Sequence, residues 1–300
     1  MARNWLSGMR SATTITAETT NKSTIPQQKS FYRRQLPSHL TSFTSPEGRR
    51  VFKETLNDGY AEGYFNLAGN FTTQSEPAYC GPSSLAMVLN ALEVDPGQTW
   101  KGAWRWYSDE LLQACEPKEH MKTKGITFDQ FGCLATAHCD TIAKRGGQVS
   151  YAEFLEDIKM TSQSNNTFMV LSFSRKVLGQ TGDGHFSPIG GYHRASNQAL
   201  VLDTARYKYP MWFGSVDLLF NAMQPVDKDT GKPRGYFLLN RKGEMTVTAQ
   251  RNTAAQGPMD SRSYAEQTIS LPECPPYVIP TTIHCNCKHS NRVCDSQARL

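Results

Sequence analysis

The order of the predicted elements indicates an α+β fold, because helical patterns come first along the chain and strand patterns come later. Apolar residues recur with helical spacing directly after Cys80, and two further helices are expected around 109–114 and 152–159. Later runs rich in β-branched and aromatic residues are typical of strands. These runs cover 168–173, 186–192, 199–204 and 236–240. We therefore expect a helical lobe and an antiparallel sheet lobe, with the active site in the cleft between them.

The segment around Cys80 has the composition of a nucleophile at a helix N-terminus. Backbone N–H groups at the start of a helix carry roughly half a positive charge, which favours thiolate over thiol. Gln74 lies six residues earlier, and its amide can donate hydrogen bonds to an oxyanion. We therefore predict that Cys80 and Gln74 perform acyl chemistry on a carbonyl group. The alternative for Cys80 taken alone is a small buried apolar side chain.

His185 is the predicted base among the seven histidines of the chain. Two apolar runs, at 184–192 and 199–203, flank a short polar loop, which is typical of an antiparallel hairpin. In that hairpin His185 lies roughly opposite Asp203, and their numbering parity allows both onto one face. Asp203 would orient the imidazole ring while His185 pairs with Cys80. The alternatives are a strand histidine bonded only locally and an ordinary strand-end carboxylate.

The composition is that of an ordinary enzyme with one main domain. The net charge is +5, but residues 1–50 alone contribute +6 and the remainder is near neutral at −1. A near-neutral remainder gives no support to nucleic-acid binding. No run of 18 or more apolar residues occurs, so we expect no membrane span.

Residues 1–30 differ from the rest in composition. They contain ten Ser or Thr, four Lys or Arg and one acidic residue, which is typical of an organellar transit peptide. The alternative is a disordered extension that carries no targeting signal. We expect cytoplasmic residence, with mitochondrial or plastid import as the alternative.

The cysteines indicate thiol or metal chemistry before disulfides. The chain has eight cysteines and no apolar secretory leader pattern. Four of the potential soft-metal ligands lie close together in the tail at 243–300, where spacing and residue type suit zinc, cadmium or copper(I). They are His284, Cys285, Cys287 and Cys294. The alternative is a tail whose cysteines do little.

Eight ordered motifs between about residues 31 and 242 closely resemble those of phytochelatin synthases, the glutathione γ-glutamylcysteinyltransferases. They are YRRQLP at 32–37, QSEPAYCG at 74–81, LNAL at 89–92, WKGAWRW at 100–106, CEP at 115–117, GHFSPIGGY at 184–192, LDTARYKYP at 202–210 and TGKPRG at 230–235. The resemblance implies a papain-like two-lobe fold for a catalytic domain at 31–242. It also implies a catalytic triad of Cys80, His185 and Asp203, with Gln74 as the glutamine that stabilises the oxyanion.

The resemblance further implies the reaction and its substrates. Cys80 would take a γ-glutamylcysteinyl group from glutathione as a thioester and pass it to a second glutathione, giving phytochelatins, (γ-Glu-Cys)n-Gly, for metal detoxification. Matching family positions make Arg206, Tyr209, Asp227 and Arg234 substrate-binding candidates. No cofactor is expected to bind tightly. Cadmium, zinc and copper ions would activate the enzyme, mainly as glutathione thiolates, and a homodimer is left open.

Two departures and two alternatives accompany this resemblance. Many family members have adjacent cysteines where this chain has Ala114 and Cys115, and the spacing from Cys133 to Cys139 is longer than in plants, so a metal site that depends on those pairs is in doubt. One alternative function is a papain-like hydrolase that removes glycine from glutathione or its conjugates. The other is a metal-binding protein without enzymatic activity.

Overall fold

The structure, a computed structural model, describes residues 33–112 and 118–243. The α-helices within these ranges are α1 (Pro46–Asn57), α2 (Glu62–Gly69), α3 (Cys80–Ala91), α4 (Lys118–Lys124), α5 (Phe128–His138), α6 (Tyr151–Ser162) and α7 (Val216–Met223). The strands are β1 (Thr41–Ser42), β2 (Asp140–Arg145), β3 (Thr167–Ser174), β4 (Gly184–His193), β5 (Gln198–Val201), β6 (Trp212–Ser215) and β7 (Gly235–Asn240). Short 3-10 turns lie at Asp109–Leu111 and Gly146–Gln148.

The strands form one antiparallel sheet in the order β1-β6-β5-β4-β3-β7-β2. This sheet and the helices confirm the predicted α+β class, whereas the papain-like two-lobe arrangement stays a prediction. The strict order of helices before strands is wrong, because β2 precedes α6 and α7 lies between β6 and β7.

Two predicted element boundaries also differ from the structure. The helix expected at 109–114 is a 3-10 turn over Asp109–Leu111, and 113–117 lie outside the described residues. The strand expected to reach Thr204 ends at Val201. It ends early because the Asp203 side chain accepts a hydrogen bond from the backbone N–H of Ala205, which bends the chain into a turn.

The core lies on both faces of the sheet, and β3 shows why. All eight residues of β3 are buried, and their side chains alternate between the faces. Phe168 and Val170 pack in the cluster that includes residues of α3 and α5. Met169, Leu171 and Phe173 pack in the cluster that includes residues of α6 and α7. Covering a strand on both faces explains why its sequence is continuously apolar.

The β4–β5 hairpin is confirmed and contains an irregularity that brings its strands close to α2. The register shifts between Ile189 and Gly191. A Cβ atom on Gly190 would lie 2.2 Å from Leu202 Cδ1, so any side chain there would displace Leu202. On the continued register, Asp203 would face Ser187, two residues from His185 and on the same side of the hairpin.

No helix in the described ranges is both long enough and apolar enough to span a membrane.

Candidate active site

Cys80 is the first residue of α3, and its thiol is free and partly exposed. The helix N-cap residue, Tyr79, makes no side-chain capping hydrogen bond. The first backbone bond of the helix runs from the Ser83 N–H to the Tyr79 carbonyl at 2.9 Å. Because Pro82 has no N–H, the helix N–H groups before that bond are those of Cys80 and Gly81, and these two can face the sulfur or an oxygen bound beside it.

Gly81 allows the close packing of this helix start. A Cβ atom at position 81 would lie 2.5 Å from Ile126 Cδ1, so any side chain there would displace Ile126. Ser84, one turn further along α3, donates a hydrogen bond to the Phe186 carbonyl at 3.1 Å. Phe186 follows His185 directly, so this bond ties the helix that carries the thiol to the strand that carries the imidazole.

His185 lies near the start of β4, is 3% exposed, and pairs across the sheet with Phe173. Its Nε2 atom lies 2.9 Å from Oδ1 of Asp203, although the N–H direction is not aligned for a hydrogen bond. Catalytic hydrogen bonds are often loose in ligand-free proteins. The predicted histidine and carboxylate are therefore adjacent in the structure.

Asp203 is fully buried and is surrounded by donors. Its Oδ1 accepts hydrogen bonds from Arg175 Nη2 at 2.8 Å and from the Ala205 N–H at 3.0 Å, and Oδ2 accepts one from Trp212 Nε1 at 3.4 Å. Burial by itself raises the pKa of Asp203, but the charges of Arg175 and His185 outweigh it and hold this pKa far below its usual value. The carboxylate is thus kept ionised.

The environment of Cys80 favours the thiolate. Burial by itself raises the pKa of the thiol. The charge and hydrogen bond of His185, the backbone N–H of Phe186 and the charge of Arg175 act in the other direction and bring the pKa below its ordinary value. The sulfur therefore has a nearby imidazole and the electrostatic surroundings of a nucleophile.

Gln74 is buried, and its amide is held within its own loop. Nε2 donates to the carbonyls of Glu76 at 3.0 Å and Pro77 at 2.9 Å, and Oε1 accepts from the Thr204 hydroxyl at 3.3 Å. The Gln74 N–H also donates to the Thr204 carbonyl at 3.0 Å. Because Thr204 follows Asp203, these bonds join the loop before Cys80 to the segment that carries the acid.

Two residues near the site were missed from the sequence. Arg175 follows β3, is 2% exposed and bridges Asp203 and the Gln180 side chain. Burial and then the nearby Cys80 thiol raise the pKa of Tyr207, which is 45% exposed. No local pattern marks Arg175, but Tyr207 lies within the LDTARYKYP motif, so its neighbours in sequence gave a signal.

The four substrate-binding candidates lie in different surroundings. Arg206 is exposed and stacks over the Phe71 ring at 4.8 Å. Tyr209 is 1% exposed, and its hydroxyl accepts a hydrogen bond from the Thr181 N–H at 2.8 Å. Asp227 and Arg234 are adjacent, with 3.4 Å between Oδ2 and Nη2. The role of each in binding stays a prediction.

Arg234 is shared between two carboxylates. It is 5% exposed, and Nη2 also lies 3.4 Å from Oδ1 of Asp183, two residues before His185. Nη1 donates to the Pro225 carbonyl at 3.2 Å. The more exposed side chains of this group are Asp183 at 43% and Asp227 at 21%. Asp183 also lies 2.9 Å from Nζ of the exposed Lys176, so the accessible side of the group carries both signs of charge.

The predicted tail metal ligands His284, Cys285, Cys287 and Cys294 lie outside the described residues. Within the described ranges, no group of three or more His, Cys, Asp or Glu side chains is arranged to hold a metal ion. Cys133 is disulfide-bonded, which differs from the expectation that thiols would precede disulfides. Burial raises the pKa of the Cys139 thiol to about 11, so this cysteine is a poor nucleophile.

A cavity of about 460 Å³ lies at the opposite end of α3 from Cys80, lined by residues that include Glu93, Tyr107 and His138. A helix of 12 residues is about 18 Å long, so this cavity is remote from the thiol. We do not assign the acyl chemistry to it.

Comparison with known proteins decides the family. The family model described as "Phytochelatin synthase" matches residues 31–236, about two thirds of the chain. The chain belongs to the phytochelatin synthase family. Curated family members are similar over the same region, and the chain spans about half the length of those it matches.

Three relatives illustrate the similarity. Glutathione gamma-glutamylcysteinyltransferase of Schizosaccharomyces pombe is 47% identical over 213 residues, covering 71% of this chain and 51% of the relative. Glutathione gamma-glutamylcysteinyltransferase 1 of Arabidopsis thaliana is 47% identical over 216 residues, covering 71% and 44%. The transferase numbered 3 of Lotus japonicus is 45% identical over 215 residues, covering 70% and 44%. The resemblance read from the motifs is confirmed.

Proposed function

We propose that this protein transfers the γ-glutamylcysteinyl group of glutathione to a second glutathione or to a growing phytochelatin chain. The observation that carries the proposal is the position of His185. Its Nε2 atom lies 2.9 Å from the buried Asp203 carboxylate, and its charge and hydrogen bond lower the pKa of Cys80. The names of the curated relatives supply the substrate and the group transferred.

In the first step the Cys80 thiolate attacks the carbonyl carbon of the Cys–Gly peptide bond of glutathione. The oxyanion that forms lies at the N-terminus of α3, where unpaired N–H groups stabilise negative charge. When the C–N bond breaks, the imidazolium of His185 gives its proton to the departing glycine amine. A γ-glutamylcysteinyl thioester remains on Cys80, and His185 is left neutral.

In the second step the α-amine of the acceptor attacks the thioester. The neutral His185 takes a proton from the attacking nitrogen. The C–S bond breaks, the thiolate of Cys80 is restored, and the product is longer by one γ-Glu-Cys unit. The thioester retains the energy of the cleaved peptide bond, so no ATP is needed. Water can also attack, and exclusion of water from the acceptor site would favour transfer over hydrolysis.

Glutathione carries two carboxylates and one ammonium, so the site needs both signs of charge. Arg206 is exposed and suits a substrate carboxylate. The carboxylates of Asp183 and Asp227, which share Arg234, are candidates for the ammonium, although Asp183 also pairs with Lys176. The burial of Tyr209 favours an indirect role for this residue, through the Thr181 backbone to which it is bonded.

Heavy-metal ions enter this proposal as part of the substrate. A cadmium, zinc or copper(I) ion bound by the thiolates of two glutathione molecules would serve as the acceptor. Each glutathione in this complex presents a free amine while the metal covers its thiol. Under this proposal the metal does not bind Cys80 during turnover. The tail cysteines and His284 remain candidates for capture or sensing of the same ions.

We propose the cytoplasm as the compartment, with mitochondrial or plastid import as the alternative. Fusing residues 1–30 to a fluorescent protein tests this. Uniform cytoplasmic fluorescence supports the first, and organellar accumulation supports the second.

The test of the function uses the purified chain with glutathione, with and without cadmium or zinc, and mass spectrometry of the products. We expect γ-Glu-Cys oligomers, a Cys80 adduct with the mass of one γ-glutamylcysteinyl group, and neither from the Cys80→Ala variant. Cys139→Ser is the matched control, because it removes a buried free thiol remote from the chemistry and should retain turnover. Glycine release without oligomers would assign a deglycinating hydrolase instead, and full activity of Cys80→Ala would overturn both functions.

A further inference from the structure

Asp109 joins the two segments on either side of Cys80 in the sequence, the loop that carries Gln74 and the first turn of α3. It lies in the 3-10 turn after the tryptophan-rich segment and is 8% exposed. Its Oδ2 atom accepts a hydrogen bond from the Ser75 N–H at 2.9 Å and another from the Ser83 hydroxyl at 2.5 Å. Ser75 follows Gln74, and Ser83 lies three residues after Cys80. One carboxylate oxygen thus links the loop of Gln74 to the helix of Cys80.

The position of Asp109 is itself fixed along α3. Two residues before it, Tyr107 exchanges two hydrogen bonds with the Asn90 side chain, at 2.8 Å from Nδ2 and 3.1 Å to Oδ1. Asn90 lies in the last turn of α3, and Ser83 lies in the first. The segment that carries Asp109 is therefore held at both ends of the helix. A movement of Asp109 relative to Cys80 would break contacts with α3.

The loop at 74–79 needs such a link, because its remaining contacts reach the other side of the site. The backbone and side chain of Gln74 bond to Thr204, next to Asp203. A turn bond from the Tyr79 N–H to the Glu76 carbonyl at 3.0 Å closes the loop locally. Among the hydrogen bonds of the described residues, the bond from the Ser75 N–H to Asp109 is the one that links the start of this loop to α3, through Ser83.

We propose that Asp109 is a positioning residue that holds the 74–79 loop, and with it Gln74, at a fixed distance from the Cys80 sulfur. This inference rests on the proposed acyl transfer. Asp109 acts through Gln74 and does not contact the substrate. Because a displacement of about 1 Å in an active site can cost about 100-fold in rate, loss of this link should lower kcat while KM changes little.

The test is a double-mutant cycle between Asp109→Ala and Gln74→Ala, measured as oligomer formation and as glycine release in a single turnover. Asp109→Ala should lower kcat by roughly 10- to 100-fold in the wild-type chain, and by less than about 3-fold in the Gln74→Ala chain. KM for glutathione should stay within about 3-fold. Ser83→Ala, which removes one of the two bonds, should give an intermediate loss.

Two measurements separate positioning from a structural role. The pH midpoint for alkylation of Cys80 should be unchanged in Asp109→Ala, because the link acts on the loop and leaves the thiolate and His185 in place. Asp157→Asn is the matched control. It removes a mostly buried carboxylate that accepts hydrogen bonds from Lys144 and Tyr236. This variant should have lower thermal stability and an unchanged kcat at low temperature.

Equal losses from Asp109→Ala with and without Gln74 would overturn the inference, as would a kcat within twofold of wild type. If Asp109→Ala does not fold, Ser83→Ala, which removes the bond between Asp109 and α3, takes its place in the cycle with Gln74→Ala. These outcomes are distinct from failure of the proposed function, in which the wild-type chain itself would form no Cys80 acyl adduct.

Discussion

The two ends of β4 carry two histidines with nearly the same local chemistry. His185 near the start and His193 at the end are both buried, at 3% and 1% exposure. Each has a carboxylate oxygen 2.9 Å from Nε2, from Asp203 and Glu54 respectively. His193 even has a hydroxyl beside it, with Ser196 Oγ 2.6 Å from Nδ1. Within residues 33–112 and 118–243, a histidine therefore lies between a carboxylate and a potential nucleophile at both ends of β4.

The surroundings of the two histidines differ in ways that decide their chemistry. Asp203 is fully buried beside Arg175, whereas Glu54 is 41% exposed and pairs with Arg50 on the surface of α1. Cys80 lies at the N-terminus of a buried helix. Ser196 lies in the exposed turn of the β4–β5 hairpin, three residues from His193. We therefore expect the helix N-terminus and the buried, charge-stabilised acid to distinguish the proposed catalytic site from a structural cluster.

The strongest test of this comparison replaces each histidine by glutamine. His185→Gln should lower oligomer formation by at least ~1000-fold, because it removes the only proposed base and acid. His193→Gln should leave kcat within about 2-fold and lower thermal stability, because it disturbs the bonds to Glu54 and Ser196. Steady-state kinetics and thermal melts measure both. Similar activity losses for the two variants would remove the distinction between the two ends of β4.

The next test replaces each carboxylate by its amide. Asp203→Asn should lower kcat by at least ~100-fold, because an amide cannot stabilise the imidazolium and can favour the wrong tautomer. Glu54→Gln should have no measurable effect on kcat, since that carboxylate is exposed and screened by solvent. Both are read from kcat under saturating glutathione. Retention of full activity by Asp203→Asn would exclude it as the third member of the triad.

Arg175 beside Asp203 and Arg50 beside Glu54 should contribute very differently to the free energy of unfolding. Arg175→Met leaves a buried carboxylate without its main counter-charge and should lower the free energy of unfolding by about 3–5 kcal/mol. Arg50→Met removes a surface ion pair and should be nearly neutral. Urea unfolding at neutral pH measures both. The folded-state pKa of Asp203 is depressed, so its stabilising contribution is present above its unfolded value of about 3.9 and is lost as pH falls toward the folded value.

The smallest expected effect is a shift in the pH dependence of alkylation. Cys80 should react with iodoacetamide with a midpoint below the ordinary thiol value of about 8.5, because His185 and Arg175 lower its pKa. His185→Gln should move that midpoint upward, whereas His193→Gln should leave it unchanged. Peptide mapping by mass spectrometry distinguishes Cys80 from the other thiols. A wild-type midpoint at or above the ordinary value would contradict the proposed thiolate.

The sequence by itself determined the local features of this site. The apolar spacing after Cys80 follows the helical period, and the helix does begin at Cys80. The two runs around the polar loop follow the strand period, and they form the β4–β5 hairpin. Parity allowed His185 and Asp203 onto one face, but the register shift between Ile189 and Gly191 was also needed, because the register beside the hairpin loop would place Asp203 opposite Pro188. These predictions succeeded because backbone geometry fixes the direction of side chains over a few residues.

Only the tertiary structure decided which charges and loops support those residues. Arg175 reaches Asp203 across 28 residues of sequence, Ser75 reaches Asp109 across 34, and Gln74 reaches Thr204 across 130. None of these pairs follows from a local period, because each depends on how the sheet and α3 pack. The same holds for the partners of the two histidines of β4, since Glu54 lies 139 residues from His193. Packing gave His185 a fully buried acid and the Cys80 thiol, whereas the equally buried His193 pairs with Glu54, whose side chain is 41% exposed.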